Sequence, residues 1–528
     1  MPSPLLDQLE QWKSRFGPPG DGQLERLLAA AARRQFRDAA SLIRLHETAL
    51  FLRAYPRNPQ VARLADAILF SFADRVAQLQ AAGADLSAFE ESQISGIAGT
   101  SLTAVFSYEV ARRLAARHPR NLEIGWDRYD GIDRLGPVLR RFLPLLTEDW
   151  PVEAHVPYRQ WIAAARPRAT SDLAWLLEHL SAQPELFDTL DLPIAWRIGN
   201  ARTSRSRLRL PGRKLYCHRE PLLRRSDISL ARELESPPLP VRRLARTEAR
   251  KILDLILDTS AMRYRELYGF SHPDEAGVFH AGAGRGIEIF FFGVPPAWRL
   301  PLRAYHGGLF FKNGVPAGYV EVLSLFERAE VGFNLYYTFR EGESAWLYAR
   351  LLRLFRQVLG VTCFSVDPYQ IGHENPEAVD SGAFWFYRKL GFRPVDPKVA
   401  ALMDREERRM SQTPGYRSSR RTLEKLAEGY MLFEAPSSQK GIWDNFHVRN
   451  LGLAVERKRG QTHFPARSSG LAQLLSLIPD LPRWTPQEKL AVANILRAKQ
   501  SASEARYLRL MQRHPRLRAA FLALGTVH

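Results

Sequence analysis

Several groups of residues could carry chemistry in this sequence. The run Arg340-Glu-Gly-Glu-Ser-Ala345 opens an apolar stretch reaching Leu359 with helical spacing. Free N–H groups and the dipole at such a helix mouth favour an anion, phosphate above all. Glu341 and Glu343 oppose such an anion there unless Arg340 or another cation compensates; otherwise they are ordinary first-turn acids that the dipole favours. Tyr387 offers a phenol, pKa about 10, able to donate a proton. Phe384, Phe386 and Phe392 around it leave a packing role open. Glu330 and Glu321 are carboxylates on neighbouring strands that could take a proton through a water, or sit in surface ion pairs. His306 and His373 are isolated beside glycines, the setting of structural or solvated imidazoles. No Cys/His cluster has metal spacing, and no Gly-x-Ser-x-Gly elbow or Walker loop occurs. Gly282, Gly284 and Gly286 surround Arg285 before a strand, not between strand and helix, which predicts a hairpin tip.

The elements that must position these groups lie between Ala317 and Val395. Alternation predicts strands at 317–323 and 330–337, with Val331, Phe333, Leu335 and Tyr337 on one face. The helix from about Ser344 to Leu359 follows, then a strand at 361–366 closed by Asp367-Pro368. A second helix covers Ala383-Phe-Trp-Phe-Tyr-Arg-Lys-Leu-Gly-Phe392 and carries the pattern Ala-x-x-Phe-Tyr-x-Lys-x-Gly-Phe. Upstream, 241–245 predicts a short strand and 249–257 a helix. Strands follow at 287–294, 300–305 and 309–311, with Asn313-Gly314 as a tight turn into the next. Gly429–Glu434 is a candidate closing strand. With this order and the Phe-Tyr motif, residues about 238–436 resemble the GNAT superfamily of N-acyltransferases.

The resemblance implies an α/β (α+β) fold with a mixed, largely antiparallel sheet, and an acyl-coenzyme A co-substrate, acetyl-CoA above all. It implies a pyrophosphate turn of the form Gln/Arg-x-x-Gly-x-Gly/Ala. Arg340 fills its first place and Ala345 its last, with Ser344 between; Glu343 replaces the central glycine and Gly342 sits one residue early. It implies that the pantetheine arm pairs with backbone of the fourth strand, here at Leu335 and Tyr337, where that strand splays from the fifth. Tyr387 would be the acid and Glu330, or second Glu321, the base; Asp380 stands where the family commonly has asparagine. Two alternatives stay open: a GNAT-like transferase drawing on aminoacyl-tRNA, and a degenerate GNAT-like domain that only binds a partner.

The rest of the chain frames this region. At 528 residues, with 45% hydrophobic and 25% charged content, several soluble domains are expected. The expected division is a helical region at 1–150, a mixed region at 151–237, the GNAT-like region at 238–436 and a helical region at 437–528. Thr485-Pro-Gln-Glu488 is a capping box opening one of the late helices. Lys plus Arg number 75 against 56 Asp plus Glu, and the net charge of +19 attracts polyanions. In the tract 202–225, Arg205, Arg207 and Arg209 alternate before Pro211-Gly212, which predicts a hairpin with one arginine face. Such a face could contact tRNA or another nucleic acid, or pair with acids elsewhere in the chain. Two cysteines, Cys217 and Cys363, build no disulfide framework and favour a reducing compartment. Without an evident signal peptide or an apolar run of membrane-spanning length, the expected location is cytoplasmic.

Overall fold

A computed structural model describes residues 3–16, 22–210, 214–263, 267–459, 470–501 and 503–526. The turn signal Pro211-Gly212 lies outside the described residues. The fold is mixed α/β with a mostly antiparallel open sheet. The chain divides into two compact units, the first holding residues 1–221, 250–272 and 313–316, the second 222–249, 273–312 and 317–528. No helix among the described residues is long and apolar enough to cross a membrane.

The first unit begins with helices Pro4–Lys13, Gln23–Arg33, Ala39–Ala54, Pro59–Phe70 and Phe72–Ala81. Leu24, Leu27, Leu28 and Ala31 form the buried stripe of the second, as their spacing predicts. Beyond them stands a small antiparallel sheet of β1 (Ser101–Val105), β2 (Leu122–Ile124) and β3 (Pro193–Arg197) in the order β1-β3-β2. Its inner face packs Leu102, Ile194 and Trp196 against Leu114 and Leu176 of the covering helices.

The arginine-faced hairpin expected at 202–225 is not formed: none of the described residues there is a strand. The arginines fold back onto acids instead. Arg205, 7% exposed, donates two bonds to Glu47 (2.8 and 2.9 Å) and further bonds to the carbonyls of Gln93 and Ile94. Arg209 donates to Asp66 at 3.0 Å, and Asp66 also holds the buried Arg53. Arg207 lies over the Phe70 ring. Buried guanidinium groups need carboxylates nearby, and that demand overrides the two-residue alternation. Arg202, Lys214, Arg219 and Arg224 remain exposed.

The second unit holds a nine-stranded sheet. It comprises β4 (Val241–Arg243), β5 (Phe279–Gly284), β6 (Ile287–Phe292), β7 (Ala304–Lys312), β8 (Val315–Leu325), β9 (Arg328–Leu335), β10 (Cys363–Val366), β11 (Arg393–Pro394) and β12 (Met431–Glu434). The spatial order is β11-β12-β10-β9-β8-β7-β6-β5-β4. β9 and β10 run parallel, joined by the Ser344–Leu359 helix that such a crossover requires. The β5–β6 tip is the glycine-flanked Arg285, whose φ of 47° the sequence anticipates as a hairpin turn. The two short strands expected at 300–305 and 309–311 are one continuous strand, β7. His306-Gly-Gly308 looks like a break, yet a Cβ on Gly308 would stand 2.7 Å from the Phe290 carbonyl oxygen. The glycine admits close approach to β6 and does not end the strand. Asn313-Gly314 makes the turn to β8 with φ of 49° and 79° at the two residues. Helices Val448–Arg459, Gly470–Leu475, Pro486–Ser501, Glu504–Gln512 and Pro515–Gly525 complete the unit. At Thr485 the capping box forms as its spacing predicts: the threonine hydroxyl accepts from the Glu488 N–H, and the glutamate carboxylate accepts from the Thr485 N–H.

Candidate active site

β9 and β10 share only three residue pairs: Arg328 with Cys363, Ala329 with Phe364 and Glu330 with Ser365. Past Glu330 the strands part. β9 continues to Leu335 while β10 ends at Val366. In the gap the Phe333 N–H donates to Gln370 Oε1 at 3.2 Å, so this edge of β9 faces away from β8. Backbone N–H groups alternate along a strand, so the Leu335 N–H points the same way, whereas the Tyr336 N–H turns back to Ala317. The expectation for Leu335 therefore meets a strand edge at the fork. That for Tyr337 does not. β9 stops two residues earlier than alternation predicts, and Tyr337 lies in a short turn, Tyr337–Phe339, and is 54% exposed.

The two sides of the fork differ. Phe333 packs against Tyr348 of the Ser344–Leu359 helix, with ring centroids 5.0 Å apart. Tyr387, from the short helix Ala383–Arg388, stands edge-on to Tyr348 at 5.5 Å and to Phe392 at 5.6 Å. Burial pushes both phenols well up, so both stay protonated. The Tyr348 hydroxyl is buried without a hydrogen-bond partner. Sequence spacing marks Tyr387 through its motif but gives no sign of Tyr348, which reads as one more core residue of an apolar helix.

Glu330 sits on the opposite face, since successive side chains of a strand alternate. It borders a cavity of about 30 Å³ with Arg303, Arg328, Tyr430 and His447. Arg303 pairs with Glu330 at 3.5 Å. Burial raises the Glu330 carboxyl above its ordinary value, against the pull of Arg303 and Arg328 and with help from Asp367. Arg328 is tied to the Phe446 carbonyl at 2.8 Å and to Ser365 Oγ at 3.3 Å. Burial lifts the Tyr430 phenol to about 12 and lowers His447, leaving both neutral. Glu321 shares the Glu330 face, accepts from the Tyr305 hydroxyl at 2.7 Å and is also raised by burial. His306 is buried and lowered to about 4, through burial first and then Lys499 and Arg299, and His373 is exposed.

The helix mouth beside the fork is built differently from the expected turn. Glu343 is its N-cap and 2% exposed, and its carboxylate is directed at the half-buried Arg285 and the buried Lys312. Arg285, from the β5–β6 tip, donates Nε to it at 3.0 Å, Lys312 Nζ lies 3.6 Å away, and the Leu223 N–H donates at 3.1 Å. Burial lowers the Lys312 ammonium to about 7, with Glu343 opposing. The compensating cations are thus Arg285 and Lys312 and not Arg340, which is paired with Glu377. The first bond inside the helix runs from the Leu347 N–H to the Glu343 carbonyl, so the N–H groups of Ser344, Ala345 and Trp346 precede it. Gly342 is half-buried with its N–H on Phe339, and Asp380 is exposed and paired with Arg420. Arg285, Lys312, Gln370 and Arg303 were not legible as site residues, because each joins it through sequence-distant pairing. Among the described residues no group of three His, Cys, Asp or Glu side chains is placed to hold a metal. No family model, curated protein or solved structure matches this chain.

Proposed function

We propose that the second unit is a GNAT-type N-acyltransferase drawing on an acyl-CoA, probed most simply with acetyl-CoA. The observation that carries the proposal is the fork: a parallel strand pair that separates after three residues, beside the N-terminus of the crossover helix. A thioester arm could add along the open edge of β9 at Leu335, with the diphosphate at Ser344 and Ala345. The strand order, the crossover helix and the Phe-Tyr motif support the same family. In this chemistry the acceptor amine attacks the thioester carbonyl from the Glu330 face. Its proton passes to Glu330, directly or through a water, the C–S bond breaks, and the thiolate takes the proton of Tyr387. Acid and base lie on opposite faces of the sheet, and the fork is where one substrate pair could touch both.

Acetyl-CoA should raise the melting temperature of the full chain, the shift growing with concentration and reaching about 2.7 kcal/mol of stabilisation at one hundred times Kd. No shift, with no turnover on any amine, would sink the proposal. A second reading, aminoacyl-tRNA as donor, draws on the net charge of +19 and on Arg225 and Arg417, whose charges bear on Lys389. It requires tRNA affinity that falls steeply with salt. Neither response would leave a non-catalytic binding protein.

A further inference from the structure

The Glu330 cavity has a neighbour. A groove of about 350 Å³ runs between the segment Leu300–Arg303 and the helices Val448–Arg459 and Gly470–Leu475. Its walls are carbon-rich, with Leu300, Leu302, Leu451, Val455 and Leu474 among them. Arg303 and Val448 line both the groove and the cavity, so the two adjoin. Their sizes differ tenfold. About 30 Å³ is the volume share of one water molecule, enough for a head such as an amino group. About 350 Å³ lies at the lower end of the range for small-molecule sites.

We propose that the acceptor is a small primary amine with an apolar body, its nitrogen in the cavity at Glu330 and its carbon chain in the groove. This rests on the acyl-transfer reading for the chemistry, but not for the binding. Around the head, Glu330 and Asp367 stand against Arg303 and Arg328, with Arg449 near His447, while Tyr430 and His447 are neutral. The carboxylate that receives the amine's proton borders the cavity. The body gains by leaving water for carbon walls, which sets a preference for chain length. The arrangement gives the C-terminal helices a role, since they supply one side of the groove.

Gly452 makes the test clean. It lines the groove from within a helix, and a Cβ built on it meets nothing within 4 Å. Gly452→Phe should fill the groove at no cost to the helix, with Gly452→Ala as the folding control. Binding of ethylamine, butylamine and hexylamine to the full chain is measured by calorimetry, with and without acetyl-CoA. Affinity should climb about fourfold per methylene, and Gly452→Phe should abolish that climb while keeping the parent melting temperature and acetyl-CoA shift. Affinity independent of chain length, or Gly452→Phe binding hexylamine as the parent does, overturns the proposal. Binding of a leucine-led peptide but of no free amine overturns it too, by making the occupant a protein terminus. A chain-length climb that Gly452→Phe removes, in a protein that ignores acetyl-CoA, would keep the groove and discard the donor.

Discussion

Replacing Glu343 by glutamine preserves the shape of the side chain and removes its charge from between Arg285 and Lys312. At pH 8 Lys312 is mostly neutral in the folded parent, its ammonium lying near 7. The loss there is chiefly the charge-assisted pairing with Arg285, about 1.5–3 kcal/mol. At roughly 2 °C per kcal/mol for a large unit, the melting temperature should fall by about 3–6 °C. Lower pH adds a second cost. Without the carboxylate the burial of Lys312 loses its opposing charge, although the bond to the Arg285 carbonyl stays, and its folded pKa falls below 7. Between the folded value and the ordinary 10.5, the unfolded chain binds more protons, so stability rises with pH in parent and variant alike, and above 7 this contribution cancels between them. Below 7 the parent Lys312 is protonated when folded and that of the variant is not. The gap should therefore widen on going from pH 8 to pH 6, by up to about 1.4 kcal/mol, or roughly 3 °C. Parallel thermal melts of the two proteins at both pH values measure it. An equal difference at pH 6 and pH 8, or none at either, would refute the account of a carboxylate holding Arg285 and Lys312 together. The same variant should bind an acyl-CoA more tightly, since one negative charge leaves the helix mouth.

Other substitutions probe the rest of the molecule. Tyr387→Phe should cut kcat by about a hundredfold or more while the melting temperature holds, because only a proton donor is lost. Unchanged kcat would assign Tyr387 to packing alone. Glu330→Gln should lower kcat comparably and erase an acid limb whose midpoint lies above 4.5, the direction in which burial moves this carboxyl. A limb that survives in the variant would point to another base, with Glu321 next to test. Arg205→Ala should destabilise the first unit by about 3–5 kcal/mol in denaturant melts, since Glu47 loses its bidentate partner. Retained stability with weakened RNA binding would restore the nucleic-acid face expected for that tract.

Local pattern determined much of this protein. The crossover helix begins at Ser344 and ends at Leu359, as its apolar spacing and the following glycine indicate. Asn313-Gly314 and the glycines around Arg285 form turns because their positive φ values suit those residues. The alternation that puts Phe333 and Glu330 on opposite faces is a property of any strand, so candidate acid and base were assignable to strand and helix before their surroundings were known. What tertiary structure alone decided is who pairs with whom. Glu343 meets Arg285 and Lys312, and Arg205 meets Glu47, across separations in sequence that no spacing rule covers. A charge leaving water takes the nearest opposite charge that folding brings to it, and that neighbour belongs to the packed chain as a whole. The same holds for the β1-β3-β2 sheet, whose strands of three to five residues are too short to declare a period, and for the groove, whose walls come from segments about 150 residues apart. Period and turn chemistry are read within a few residues; desolvation is settled only when distant segments close over the same space.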